Sequence, residues 1–545
     1  MGTPTHGGTL VIRGSQSPNQ WDPYLGTSGT AGPAGYQTPF QGDYIVDPSI
    51  WDFTLSWNPP QYMTGLLLSS YELPNPYTVV YHVRQDVYWQ NKAPVNGRQF
   101  TAADIVFHYD RMLGLGDGYN TESPWYVSVT GWSALLSVVA NDKFTVTFNW
   151  KQGTNPLSLL LLMQSTGADN FMECSDAVAA YTSAGKPAIV DWHNAISTGP
   201  YLLTDYISDS SITQTANPDY WEYDRRWSQN KLPYITTRIT LIIASNTTAE
   251  AAMRTGKIDA FSSMPVQDAL NMMKTNPSIV VKQSPSGNEL SIDLRNDTAP
   301  LNNLNVRIAL QHAINIPLIA SSLFEGYATP WPSSLTQNQM AIGGIGYPYP
   351  DWTQSLKDEY AFNPTLAKQM LSDAGVAGLK TDCVLESDAN QDLWQVVQSE
   401  LADVGVTMTI RLMDSSSWQA YVITGHKYDA LCARNSGFLG QNFDIFRQLM
   451  RLTTGYQTNY IMVSDPKIDA WYAQALAASS VDEVNQIVYD ENVYVAQQHF
   501  VVSLAQPSNF NMVQPWIKGN PGTAALGNYS NGIWIDQDLK KSLGH

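Results

Sequence analysis

The chain has 545 residues, 43% hydrophobic and 11% aromatic, with 30 basic against 48 acidic side chains and a formal charge of −18. That length exceeds one ordinary core and points to roughly three or four domains, while the apolar content excludes wholesale disorder. An acidic surface repels phosphate backbones and anionic lipid, so nucleic acid is excluded as a partner, and the charge itself reads as a solubility device.

The first strand-like run covers residues 9–13 and is followed by Gly, Ser, Pro and Asn, which is loop composition. The stretch YHVRQDVYWQNKAPVNGRQFTAADIVFHYDRM, residues 81–112, holds a strand ending at Arg84 and a turn with Pro94 and Asn96-Gly97. A helix then opens at Thr101. Thr101 and Asp104 form a capping-box variant, and Ile105, Val106, Tyr109, Met112 and Leu113 follow at helical spacing. A second strand is expected over 144–150. The segments STGPYLLTDY (197–206) and NPDYW (217–221) mark a turn feeding a strand and the end of a hairpin. Residues 235–243 are β-rich, 249–255 read as helix, and GKIDAF (256–261) gives a helix stop and a strand.

From about 285 the pattern alternates between strand and helix, as a parallel-sheet lobe requires. Residues 305–322 read as one apolar helix. Asn363 caps another, with Pro364 at its first position and Gly375 just past its end. A strand at 383–387 precedes a helix at 392–404 carrying Leu393, Val396, Val397 and Leu401. Gly405 stops that helix before a strand at 406–414. A short helix at 416–422 and a strand at 428–434 complete the set. The longest apolar run, near 157–163, falls far short of the ~20 residues of a membrane helix.

Other chemistry is poorly supplied. Cys174, Cys383 and Cys432 fit no zinc or CxxC spacing; an oxidising compartment leaves one disulfide open without selecting the pair, and three buried thiols are the favoured reading. His82, His108 and His312 lie on strand or helix patterns and read as satisfied packing residues. No histidine or carboxylate cluster has metal-site spacing. GGIGYPYP (343–350) lacks the Lys-Ser/Thr of a phosphate loop, and no Gly-x-Ser-x-Gly elbow occurs. Neither cofactor nor metal is expected.

The block at 81–112, STGPY, NPDYW, GKIDA, the VRIALQHAI helix and the segments 500–504 and 513–519 together resemble the family-5 extracellular solute-binding proteins, the peptide- and oligosaccharide-binding subunits of ABC importers. The resemblance runs in order from about residue 8 to 520. It implies an α/β, two-lobed periplasmic-binding-protein fold (Venus-flytrap) with an extra domain inserted in the first lobe. Lobe one would comprise 1–43, 197–284 and 501–545, the inserted domain 44–196, and lobe two 285–500. Ligand would be trapped between closing lobes and delivered to the transmembrane subunits of an ABC permease. No catalytic residue is expected. The protein would be a monomer outside the cytoplasm, periplasmic or anchored at the cell surface. The chain begins without a basic region or apolar signal core, so its export signal is expected to have been removed.

The resemblance also bears on ligand class. In peptide-binding members the segment resembling ARNSGFLGQNFD (433–444) reads Gly-Trp-x-Ala-Asp-Tyr, and its aspartate pairs with the peptide's α-ammonium. Gly437, Phe438, Gly440 and Gln441 take the Gly, Trp, Ala and Asp positions. A carboxylate is thereby replaced by an amide with one acceptor and two donors, which suits a hydroxyl-rich neutral ligand. The alternative is that Gln441 is a surface loop residue. Arg434 would suit a ligand carboxylate, although a salt-bridged arginine is the commoner case. Seventeen tryptophans and 29 tyrosines offer ring faces to sugars. Trp221, Trp394 and Trp418 have core explanations, whereas Trp21, Trp51, Trp57 and Trp331 lie in loops. The expected ligand-binding set is therefore Asn19, Trp21, Trp51, Trp57, Trp331, Arg434, Asn435, Phe438, Gln441 and Asn442. A neutral oligosaccharide is the favoured ligand and an oligopeptide the alternative. A secreted glycoside hydrolase would need a pair of carboxylates about 5–10 Å apart, and no pair stands out.

Overall fold

The computed structural model describes residues 2–18, 20–25, 35–47, 49–51, 53, 60–75, 77–115, 122–123, 132, 134–152, 170–182, 189–285, 290–332, 347–387, 389–434, 449, 451–456, 458–520 and 530–545. The chain forms two compact units, residues 1–283 with 509–545 and residues 284–508. In chain order the strands of the first are β1 (Thr9–Gly14), β2 (Phe40–Gly42), β3 (Met63–Gly65), β4 (Leu68–Asn75), β5 (Thr78–Val83), β6 (Leu135–Asp142), β7 (Thr145–Trp150), β8 (Tyr201–Ile207), β9 (Ser211–Ala216), β10 (Thr237–Ile242) and β11 (Ala260–Met264), with β12 (Val280–Pro285) at the junction. The second unit contains β13 (Ser291–Leu294), β14 (Lys380–Glu386), β15 (Thr407–Met413), β16 (Leu431–Ala433) and β17 (Val501–Ser503). The chain then returns to the first unit through β18 (Ser508–Val513), β19 (Ile517–Lys518) and β20 (Trp534–Ile535).

Seven strands make one sheet in the order β12-β18-β11-β1-β10-β9-β8. β1 runs parallel to both β10 and β11, and the hairpin β8–β9 extends the sheet antiparallel. NPDYW follows β9 directly. Within STGPY, a Cβ on Gly199 would lie 2.1 Å from the Gly35 carbonyl oxygen, so only glycine fits. The same turn is tied to the YWQ of the 81–112 block, because Gln90 Nε2 donates to Ser197 Oγ and to the Tyr201 carbonyl, each at 2.9 Å. Two of the recurring motifs are therefore partners of one another.

Asp259 of GKIDA is equally structural. Its carboxylate accepts from the Val11 amide at 2.7 Å, the Trp516 indole at 2.6 Å and Lys540 Nζ at 3.2 Å. One buried acid thus joins β1 to the C-terminal helix Gln537–Ser542.

The strands β4-β5-β7-β6 form an antiparallel sheet. Val79, Tyr81 and Val83 alternate with half-exposed residues on β5, as do Val146, Phe148 and Trp150 on β7. That face and the helix Ala102–Leu113 contribute to one core cluster. Burying each such large side chain contributes about 1.5–3 kcal/mol. At the helix start the Thr101 amide donates to Asp104 at 2.8 Å, which is the carboxylate half of the expected box. The Thr101 hydroxyl donates to the same carboxylate at 3.2 Å. Arg98 clamps Asp104 bidentately at 2.7 and 2.9 Å and also reaches Asp176 at 2.6 Å.

In the second unit the order is β15-β14-β16-β13-β17. β14 is parallel to β15 and β16, and β13 is antiparallel to β16 and β17. The cap on Asn363 forms as expected, its side chain accepting from the Leu366 amide. The helix expected over 305–322 is instead broken. It runs Leu304–His312, and Asn315 then caps a new turn at Ile316–Leu318, with Pro317 removing an amide that a continuous helix would use. The short helix expected at 416–422 continues past Trp418 as a wider π turn, Gln419–Thr424. The 428–434 strand shortens to Leu431–Ala433, because the guanidinium of Arg295 takes the Tyr428 carbonyl at 2.9 Å.

Arg307 and Gln311, on the VRIALQHAI helix, read backbone. Arg307 donates to the Gln498 carbonyl at 2.8 and 2.9 Å and to that of Leu301 at 2.9 Å. Gln311 accepts from the Ser503 amide at 2.8 Å and donates to its carbonyl at 3.2 Å, which locks β17 in place. All three cysteines are free, buried thiols. Among the described residues, no helix is long and apolar enough to cross a membrane.

The helix Val481–Gln498 carries Glu491 at 0% exposure, and burial pushes its carboxyl up to about 8. An unfolded chain releases this proton near 4.5. The resulting stability is therefore full below that value and is lost as pH rises through about 8. Urea unfolding at about pH 5 and about pH 8 is expected to show wild type weakening with pH more than Glu491→Gln does. Identical slopes would mean that Glu491 does not carry the effect.

Candidate functional site

In the first unit the loop carrying Trp21 is held by a buried charge network. Arg111, on the helix Ala102–Leu113, forks onto Asp22 with two bonds of 2.8 Å and reaches Glu173 at 3.2 Å. His108, one helical turn earlier, lies 2.5 Å from the other oxygen of Glu173. All four side chains are fully buried. Asp22 also accepts from the Ile189 amide at 2.9 Å and the Tyr24 amide at 3.0 Å, and Arg111 lies over the Tyr24 ring at 4.7 Å. Burial pushes the Glu173 carboxyl up, but the charges of His108 and Arg111 and the His108 hydrogen bond outweigh it and hold it below the usual range. Trp21 is 2% exposed and packs edge-on against Tyr206.

Trp51 and Trp331 are half-buried. Trp51 stacks on Tyr62 at 5.3 Å and 19°, and Trp331 stacks on Tyr349 at 5.9 Å and 4°. Asn19, Trp57, Asn435, Phe438, Gln441 and Asn442 lie outside the described residues.

Arg434 follows β16 directly and has unusual surroundings. Its guanidinium lies over Trp418 at 5.4 Å and Tyr460 at 6.0 Å. Trp418 is fixed by its indole, which donates to the Val384 carbonyl at 3.0 Å. Tyr460 is fixed by donating to Asp293 at 2.8 Å, and its carbonyl accepts from the Tyr428 hydroxyl at 2.6 Å. Arg434 is half-buried, and among the described residues its Nε has no hydrogen-bond partner. Among the described residues no carboxylate lies within ion-pair distance of it. An unmade buried donor costs about 1–3 kcal/mol, so an incoming acceptor would recover that energy. Sequence reasoning named Arg434 but not its two ring supports. Tyr460 and Asp293 stand far from it in sequence, and no local pattern links them.

Residues 61–457 match the family model for bacterial extracellular solute-binding proteins, family 5. The chain belongs to that family. It is 24% identical to the heme-binding protein A of Haemophilus influenzae over 460 residues, covering 81% of this chain and 78% of the relative. It is 26% identical to the dipeptide-binding protein of Escherichia coli (strain K12) over 427 residues, covering 74% and 71%. Among solved structures, the ABC transporter-associated periplasmic binding protein DppA from Helicobacter pylori, in complex with the peptide STSA, superposes with a TM-score of 0.76 at 19% identity, over 98% of this chain and 99% of that one. The fold is the mixed α/β, two-lobed periplasmic-binding-protein fold.

Two outcomes follow. Arg111→Met leaves two buried carboxylates without their shared cation and is expected to destabilise the first unit by about 3–5 kcal/mol in denaturant unfolding. Arg434→Met removes a buried Nε donor that has no partner among the described residues. It is expected to unfold within about 1 kcal/mol of wild type, or later, when no ligand is present. A large loss of stability there would mean that Arg434 serves the fold.

Proposed function

We propose that this solute-binding protein captures a short peptide, or a similar ligand with a free carboxylate, for import by an ABC transporter, and that Arg434 receives the carboxylate. The observation carrying this reading is the half-buried guanidinium of Arg434, braced by two aromatic rings and without a counter-charge among the described residues. A neutral oligosaccharide offers no anion to such a group, whereas every unmodified peptide does. The names of the relatives point the same way, since they include dipeptide-binding proteins and a heme-binding protein. They favour the peptide alternative over the oligosaccharide expected from Gln441. Residues 44–196 are proposed as the inserted domain of the first lobe. Binding and release require no bond to be broken, so the role is that of a carrier.

Isothermal titration with di- and tripeptides, their C-terminally amidated forms and neutral gluco-oligosaccharides tests the proposal. Free peptides should saturate the protein, and amidation should weaken binding about tenfold or more, as loss of a charge-assisted hydrogen bond implies. Arg434→Gln should abolish the difference between the two forms. Saturation by sugars alone would overturn the peptide reading.

A further inference from the structure

The first unit holds a cavity of about 500 Å³, counting the space open to solvent, where three distant stretches of sequence meet. These are residues 41–45 at the end of β2, residues 222–226 just after NPDYW, and Asn531–Gly532 near the C-terminus. The cavity's cations are already engaged. Arg225 pairs with Asp43 at 2.6 Å and reaches Thr64 at 3.4 Å. Arg226 forks onto Asp224 at 2.9 and 3.1 Å and donates to the carbonyls of Gly519 and Gly532.

Glu222, on the same wall, is treated differently. Its Oε2 accepts from the Tyr220 hydroxyl at 2.7 Å and the Asn531 amide at 2.9 Å. Its Oε1 accepts one long bond, 3.3 Å, from the Gln41 amide. These donors are neutral, and among the described residues no Lys, Arg or His lies within ion-pair distance. The nearby Arg84 is committed to Asp86 at 2.8 Å and lies over the Trp221 ring at 4.6 Å. Burial therefore pushes the Glu222 carboxyl up, and the neutral donors and the charge of Arg84 only partly offset it. Oε1 keeps acceptor capacity at the cavity wall, where Tyr44 and the half-exposed Tyr223 add aromatic rings.

We propose that this cavity is a second binding site, for a small aliphatic ammonium, with Glu222 Oε1 as the anion and a tyrosine ring as the flanking cation–π surface. The chemistry selects a cation because both arginines are neutralised by their own aspartates, so an anion would find no free partner. A metal ion is disfavoured by the single uncommitted carboxylate, and no metal-binding group of three or more His, Cys, Asp or Glu occurs among the described residues. An organic ammonium needs only one carboxylate and a ring face.

Isothermal titration of the full chain with pentylamine, and with pentan-1-ol as its neutral counterpart, tests this. Pentylamine should bind saturably and pentan-1-ol should not. Glu222→Gln should weaken pentylamine at least about tenfold. Arg434→Gln, altered in the other unit, should leave it unchanged. If Glu222→Gln does not fold, Tyr223→Ala at the exposed rim decides: a several-fold loss supports the site and wild-type affinity overturns it. Absence of saturation at millimolar amine, equal binding of the alcohol, or wild-type affinity in a folded Glu222→Gln would each overturn the proposal.

Discussion

The Asp22–Arg111–Glu173–His108 network is the constraint on which the described part of the first unit hangs. Three stretches distant in sequence, residues 20–24, 108–111 and 170–174, meet at full burial around one guanidinium. Taking such charges out of water costs several kcal/mol each, which a single ion pair rarely repays. Here the cost is offset by geometry: a bidentate fork, backbone amides on Asp22, and a histidine on the second oxygen of Glu173. An apolar substitute could pack the same space, but it would not fix which face of the 20–24 loop turns inward. Specificity of placement is what the network supplies.

Much of this architecture is legible in the sequence, because its recurring motifs are structural. STGPY and YWQ are hydrogen-bonded to each other, Asp259 of GKIDA joins β1 to the C-terminal helix, and Arg307 and Gln311 of VRIALQHAI read the backbone near β17. Each motif is recognisable because it satisfies a fixed backbone group, which leaves little room for change. Periodicity also located strands such as β1, β7, β10, β14 and β15 and the helices Ala102–Leu113 and Gln391–Asp403, but it left the helices Val266–Thr275, Pro466–Ala477 and Val481–Gln498 unnamed. It failed where a side chain intervened in the backbone ladder, as Asn315 and Pro317 do in splitting the 305–322 helix.

The candidate site was less legible for the same physical reason. Ligand-facing residues satisfy a ligand and not the backbone, so no internal rule ties them to a spacing. Trp21 looked like a free loop tryptophan. At 2% exposure it is packed, because the next residue, Asp22, belongs to the network that draws its loop inward. Trp51 and Trp331 are stacked on Tyr62 and Tyr349, and both partners are invisible to local sequence.

Comparison among the arginines gives Arg434 its meaning. Arg111 is met by two carboxylates, Arg307 by three carbonyl bonds, Arg226 by an aspartate and two carbonyls, and Arg295 by an aspartate and two carbonyls. The fold thus supplies oxygen acceptors to guanidinium groups even where burial pulls their pKa down, as burial does for Arg307, to about 10. Among the described residues Arg434 meets ring faces and no carboxylate, and although its unmade Nε is shared with Arg111, it lacks the carboxylate fork that Arg111 has, in a chain with an excess of 18 negative charges. Under the proposed function, this arrangement suits an acceptor that arrives with the ligand, since a resident carboxylate would compete with the one to be captured.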